Sequence, residues 1–460
     1  MRARGFVGGR RAAAVPTGLT VAAGLCCLAL CLPLTATAGN QAAPQPTLTA
    51  SNRRSPAMAP TDGAPTPPAT TPTSNPAAGN RVDPAVAAAP TVGPHLAPDP
   101  ALDAQFRAMP GFLGGDGCFT VPLPGHRTLL LFGDTFVASG SSPDRRQAAF
   151  VHNTAALAEG EVEAGTRIRF LAGRLPFLPS PATDTWLWPL DGICRDGRLS
   201  LFATEIRQVA DDPFGFREVG NHLFVIDNPA DPVGEWRFTR HRIPWGRFGR
   251  KASLTWGGSL VAHDGQTLIY GVHQREDGRK SLVLARAPGR LEDFRSWSFF
   301  RRTAPWRCAK PALPAAIRGG KGVCPTSCRS DGWQPAPHAP SPLVSPIANE
   351  FTVYAGPAPD GGPDRFFLVA SGEGGLSWDI IRHEAGGPDF ARPVTRVLHR
   401  FPAAAFPQGV FCYSAKAVRR GDGRPPDRVV HFTNATTADP LLLDNTWYWP
   451  EFHRLPGHGE

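Results

Sequence analysis

One device recurs five times between residues 110 and 440: an apolar strand, a turn, and a second apolar strand that ends in small and polar residues. The second strands read "LLLFGDTF" (129–136), "LSLFATEI" (199–206), "TLIYGVHQ" (267–274), "FFLVASGE" (366–373) and "VVHFTNAT" (429–436). Each follows a partner that closes on a turn: "DGCFTVPLPGHR", "LDGICRDGR", "WGGSLVAHDGQ", "NEFTVYAGPAPDGGPDR" and "FCYSAKAVRRGDGRPPDR". Short Val, Leu, Ile, Phe and Trp runs between Gly, Pro and Asp turns, without a helical period, make this part all-β. Repeats of roughly 40 to 50 residues built from short strands are blades of a propeller, and unequal loops account for the uneven spacing. A β-sandwich with many hairpins gives no reason for all copies to end in the same polar step. The expected fold is a five-bladed β-propeller, with "HNTAALAEGEVEAGTRIRF" and "NHLFVIDNP" either outer pairs of blades or parts of another repeat.

The N-terminal region has a different composition. Arg2, Arg4, Arg10 and Arg11 precede an apolar stretch from Leu19 to Leu34, and Ala36-Thr37-Ala38 and Gly39 follow it, the pattern of a cleaved secretory signal over 1–38. A membrane anchor is the alternative; the run is short for a span and Pro33 falls near its end. From 39 to 98 Ala, Pro and Thr dominate, a composition too poor in apolar side chains to offset its ordering entropy, so a disordered tether is expected there. The propeller is then assigned to 99–460, with a Cys-containing insertion at about 303–340. The expected location is therefore outside the cytoplasm, secreted, periplasmic or at the cell surface, and the expected state a monomer with no membrane span once the signal is cleaved.

The net charge of +9 comes without a basic helix, an RNA-binding signature or a metal finger, so solvated surface arginine explains it better than nucleic acid. Of nine cysteines, Cys26, Cys27 and Cys31 fall in the signal. Cys118, Cys194, Cys308, Cys324, Cys328 and Cys412 remain, an even number that disulfides could use; Cys308, Cys324 and Cys328 crowd the insertion, where a local bridge is preferred to zinc because no His joins them.

Hairpin arithmetic locates the candidate site. With the first turn centred near Gly125, antiparallel pairing brings Asp116 opposite Asp134. The same folding puts Trp188 near Glu205, Trp256 near His273, Glu350 near 370–373 and Tyr413 near His431. If first strands line the axis, these ends gather at one mouth of the central funnel. Each residue also has a plainer role: Asp134 as a turn former, Glu205 and His273 as polar lining or blade-to-blade hydrogen bonds, and most tryptophans as core, with Trp188 and Trp256 as the best exceptions. Asn434-Ala435-Thr436 fits a glycosylation sequon by chance.

"GGDGCFTVPLP", "LLLFGDTFV" and "VHNTAAL" resemble the opening of the exported five-bladed propeller families catalogued as domains of unknown function 4185 and 5005. These are related in architecture to glycoside hydrolases acting on arabinose- and other furanose- or pyranose-containing polysaccharides. The resemblance implies three carboxylates on different blades at the funnel: a base or nucleophile, one that tunes pKa, and a Glu acid. Asp116 or Asp134 matches the first-blade position, and Asp191 in "WLWPLDG" resembles the second. The third-blade position offers Ser259, so Glu350 or Glu373 would have to be the acid. The expected function is an exported glycoside hydrolase with Asp116, Asp134, Asp191, Glu350 and Glu373 as catalytic candidates and Trp188, Glu205, Trp256, His273 and Tyr413 as substrate contacts. The rival is a non-catalytic propeller holding a sugar or another surface ligand. No cofactor is expected, and an ion in the funnel is left open.

Overall fold

A computed structural model describes residues 91–455 apart from 93–95, 172–175, 211–214, 251, 303–331, 336–339, 359–361 and 437. The expected signal, nearly all of the expected tether, and Cys308, Cys324 and Cys328 lie outside the described residues.

All five hairpins form, and each is the inner half of a blade. Blade 1 contains Phe112–Leu123, Arg127–Val137, Thr154–Ala158 and Ile168–Phe170; blade 2 contains Thr185–Arg195, Arg198–Gln208, Phe216–Ile226 and Phe238–Arg242. Blade 3 runs Ser253–His263, Gln266–Gln274, Lys280–Ala287 and Ser298–Phe300; blade 4 runs Phe351–Gly356, Arg365–Ser371, Asp379–Ala385 and Val394–Arg400. Blade 5 is completed by Val410–Ala417, Arg428–Ala435 and Pro450–Arg454. The stretches left open in the sequence are thus outer strands of blades 1 and 2.

Local chemistry explains the tightest turns. Asp196-Gly197 and Asp264-Gly265 each take positive φ at both residues and join strands paired on either side, Arg195 with Arg198 and His263 with Gln266. Such turns match the right-handed twist of the strands, and Asp-Gly is a natural sequence for them. The second strands are buried along nearly their whole length because both faces pack on neighbouring blades. Every blade interface has its own apolar cluster, from Phe119, Leu131 and Leu201 between blades 1 and 2 to Phe132, Phe432 and Phe452 between blades 5 and 1. The ring is therefore closed by packing.

Closure also draws on the segment before the first blade. Ala97–Pro98 pairs antiparallel with Pro450–Arg454 as the outer edge of blade 5, and Thr91–Val92 adds a parallel edge to blade 4. Asp99 is buried; its N–H donates to Phe452 O at 2.8 Å, and its Oδ2 accepts from Arg428 and Arg454, both at 3.1 Å. The helix Pro100–Arg107 then sinks Leu102 and Phe106 into the cluster between blades 5 and 1. The fold thus begins several residues before the boundary expected at 98. Deleting residues 1–90 is expected to leave the calorimetric melting transition in place, whereas deleting 1–99 should lower it. The longer cut removes an edge strand and charged hydrogen bonds of about 1.5–3 kcal/mol each. Equal transitions in the two truncations would refute this role for the 91–99 segment.

Among the described residues Cys118, Cys194 and Cys412 are free thiols, so the disulfide expectation does not extend to them. Burial pushes the Cys118 thiol up to about 12. No described helix is long and apolar enough to cross a membrane.

Candidate active site

The inner strands do not run smoothly past the axis. Pairing slips between Gly115 and Phe119 in blade 1, Pro189 and Gly192 in blade 2, Trp256 and Ser259 in blade 3, and Tyr413 and Lys416 in blade 5. A bulge adds unpaired backbone and re-aims side chains, so four inner strands bend near the same level of the funnel. In the first, Gly114 and Gly117 take φ of 113° and 86°, and Asp116 between them turns its carboxyl over Gly133. A Cβ at 133 would collide with Asp116 Oδ1. "GGDG" and "FGD" are therefore halves of one arrangement.

Asp116 Oδ2 accepts a hydrogen bond from Tyr413 Oη at 2.9 Å. Glu350, at the entry of the first strand of blade 4, shares its surroundings, and Lys416 Nζ lies 3.5 Å from Glu350 Oε2. Lys416 is almost fully buried; Nζ donates to Ser414 O at 2.9 Å and sits 4.7 Å from the Phe119 ring centre. Burial first, and the like charge of Glu350 second, push Asp116 from 3.8 up to about 7 against the pull of Tyr413, Lys416 and Tyr448. Burial lowers the Lys416 ammonium from its usual value, while Glu350 and Asp116 oppose the shift.

Asp116 and Glu350 form the floor of an open cleft, about 1040 Å³ when the solvent space at its mouth is included, lined also by Gly133, Trp188, Phe216 and Glu218, with Arg217, Arg250, Gln274 and Asn349 around them. Trp188 meets the Phe216 ring edge-on at 4.8 Å, and its Nε1–H donates to Asp134 Oδ1 at 3.1 Å. The same oxygen is 2.8 Å from His152 Nδ1, and the His152 ring stacks on Trp186 at 4.5 Å. Asp134 is fully buried behind the cleft; burial raises its pKa despite His152 and Trp188, and Tyr448 Oη donates to its backbone carbonyl. Its side chain reaches the cleft through the lining residue Trp188.

Four predicted residues therefore come together: Asp116, Glu350 and Trp188 at the cleft, with Tyr413 bonded beneath Asp116. Others go elsewhere. Asp191 is buried, accepting from Gly192 and Leu260 backbone N–H groups at 2.7 Å and paired with Arg419 at 2.6 Å. Glu205 is spent within blade 2 on His222 Nε2 at 2.9 Å. Trp256 is completely buried, its indole N–H donating to Trp245 O, because its strand turns that face to the core between blades 2 and 3. His273 pairs with Leu254 rather than Trp256 and lies beside the lining residue Gln274; Glu373 is exposed in the turn after its strand. The carboxylate that the sequence did not disclose is Glu218, on the third strand of blade 2, whose Oε2 accepts from Thr255 Oγ1 at 2.8 Å. Hairpin register could not find it, since only the third strand's packing on blade 3 brings it in. Among the described residues no three His, Cys, Asp or Glu side chains converge as metal ligands would.

No curated protein matches the sequence. Among solved structures, a Bacteroides ovatus protein assigned as a hydrolase aligns with a TM-score of 0.55 at 16% identity, covering 79% of this chain and 90% of the other, a likeness of fold. A GH43_1 enzyme from Xanthomonas citri aligns at 0.37 with 11% identity, covering 78% and 92%. A GH32 beta-fructofuranosidase from Bombyx mori aligns at 0.40 with 11% identity, covering 78% and 61%. The family described as "Domain of unknown function (DUF5005)" matches residues 99–417, well over half of the sequence, and this chain belongs to it.

Proposed function

We propose that this propeller is an exported, monomeric glycoside hydrolase that cleaves a polysaccharide at the cleft bounded by Asp116, Glu350, Glu218 and Trp188. The observation that carries the reading is a buried carboxyl, Asp116, raised to about 7 beside a second carboxylate, Glu350, that lies 3.5 Å from the buried Lys416 ammonium. Glycoside cleavage uses one carboxylic acid to protonate the departing oxygen and a second carboxylate to attack the sugar or activate water. Asp116 fits the acid because it retains its proton near neutrality. Glu350 fits the second role because Lys416 compensates its charge. Trp188 presents an aromatic wall on which a sugar ring can stack, and Glu218 supplies a third carboxylate at the rim. Likeness to solved propellers speaks for the fold, so the chemistry of the cleft bears the functional argument.

The test is incubation of the purified protein with a panel of plant and bacterial polysaccharides, with detection of released reducing ends. Release by the wild type that vanishes in Asp116→Asn is the expected result. Binding without cleavage anywhere in the panel would replace the hydrolase by a sugar-holding propeller.

Asp134 is a positioning residue in this scheme, since it reaches the cleft through Trp188 Nε1. Asp134→Ala should raise KM about tenfold, the scale of a lost charge-assisted hydrogen bond that orients a ring, with little change in kcat. A fall in kcat at constant KM would instead put Asp134 in contact with the reacting atoms.

A further inference from the structure

The cleft has two unlike sides. Blades 1 and 4 give the floor, Asp116 and Glu350, and blades 2 and 3 give a wall that includes Arg217, Glu218, Arg250 and Gln274. On the floor charge is nearly cancelled: Asp116 holds its proton up to about 7, and Glu350 faces Lys416. The wall, two guanidiniums against the one Glu218 carboxylate, therefore gives the cleft a net positive sign. Arg217 and Arg250 are both exposed, and among the described residues no carboxylate forms an ion pair with either guanidinium within 4.0 Å. Glu218 adjoins Arg217 in sequence, yet its Oε2 takes a hydrogen bond from Thr255 instead. Elsewhere on the molecule many arginines are matched, as Arg198 is with Asp227 and Glu292, Arg400 with Asp379, and Arg420 with Asp422 and Asp427. Positive charge continues past Gln274. After burial, the charges of Arg247 and Arg275 keep the His273 imidazole below its ordinary pKa.

A guanidinium is a planar fork that grips a carboxylate or sulfate through two parallel N–H bonds, and a concave site of one sign concentrates ligands of the other. Building on the reading of the cleft as a glycan site, we infer that its ligand is an anionic glycan, its carboxylate or sulfate groups held by Arg217 and Arg250 while the chain lies along Trp188. Neutral polysaccharides would leave both guanidiniums to water and gain nothing from the wall.

Calorimetric titration tests this with Asp116→Asn protein, chosen because its turnover is expected to be reduced about 10²- to 10⁴-fold, against polygalacturonate, chondroitin sulfate and neutral arabinan and xylan. At least one anionic polymer should bind tenfold or more tighter than the neutral ones, and more weakly as salt is raised. Adding Arg217→Gln and Arg250→Gln should remove that advantage and leave neutral polymers unchanged. Preference for polygalacturonate identifies carboxylate as the recognised group, and preference for chondroitin sulfate identifies sulfate. Equal or tighter binding of neutral polymers, or an anionic preference that survives loss of both arginines, overturns the inference. The two readings fail separately. Cleavage of neutral glycans that depends on Asp116 would leave the hydrolase standing without the anionic ligand, whereas arginine-dependent binding of an uncleaved anionic polymer would leave the ligand without the hydrolase.

Discussion

Asp116→Asn is expected to lower kcat about 10²- to 10⁴-fold, the usual contribution of a general acid, while the protein stays folded. The substitution keeps an oxygen for the Tyr413 hydroxyl, which now donates at 2.9 Å, and it keeps the shape that Gly133 accommodates. Only the proton to be delivered is lost. The effect on stability has a defined sign. Asp116 has a folded pKa of about 7, above its ordinary 3.8, so the native state binds this proton more tightly than the unfolded chain. Stability from this group is fully present below the unfolded value and is lost as pH rises through about 7. Asn cannot ionise, so the variant should melt at or above the wild-type temperature under mildly alkaline conditions and lose that advantage under acidic ones. Wild-type turnover should fall along the same limb, as the acid loses its proton above about 7. Unchanged turnover in the variant, on a glycan that the wild type cleaves, would remove Asp116 from the mechanism.

The residues that could be read from sequence are those placed by local rules. A hairpin with a short turn fixes which residues share a level, so the sequence pairs Asp116 with Asp134 and Trp188 with Glu205; the structure sets Trp188 opposite Thr204, one residue away, and leaves Asp116 between the Gly115–Thr135 and Gly117–Phe132 pairs. Bulges then spoil the arithmetic where it matters most. The slip between Trp256 and Ser259 moves His273 opposite Leu254, and the slip between Pro189 and Gly192 carries Asp191 away from the cleft lined by Trp188. No alternation of apolar and polar residues announces such a slip; the glycines of "GGDG" and "WGGS" mark those of blades 1 and 3, and "YSAK" of blade 5 has none. Facing across blades is less legible still. Glu218 looks like one more exposed charge in "FREVGNH", and Arg419 like one more surface arginine in "VRRGDG". Both acquire meaning only when distant strands meet.

Arg419 illustrates how much such a meeting can carry. Just past the inner strand of blade 5, its backbone N–H donates to Thr120 Oγ1 of blade 1 at 2.8 Å. Its guanidinium reaches Asp191 Oδ1 and Gly192 O of blade 2 at 3.0 and 3.3 Å, and Ser259 Oγ and Leu260 O of blade 3 at 2.9 and 2.6 Å. Val353 O of blade 4 completes the set at 3.4 Å. One side chain thus ties the inner strands together across the axis, and Asp191 is the anion that balances it. The Asp191 pKa is already raised by burial, with Arg419 as the main opposing influence. Arg419→Met should therefore cost about 3–5 kcal/mol at neutral pH, the usual result of stranding one partner of a buried ion pair. Without the cation the Asp191 carboxyl will hold its proton more strongly, so the loss should shrink as pH falls through its raised pKa and grow as pH rises. Replacing both members, Arg419→Met with Asp191→Leu, should recover part of the loss because no charge is then left buried. Chemical denaturation of the single and double variants at acidic and neutral pH measures these terms. A loss that is the same at both pH values, with no recovery in the double variant, would mean that Arg419 supports the propeller through its backbone-carbonyl contacts, and that Asp191 is held by the N–H groups of Gly192 and Leu260 without need of a counter-charge.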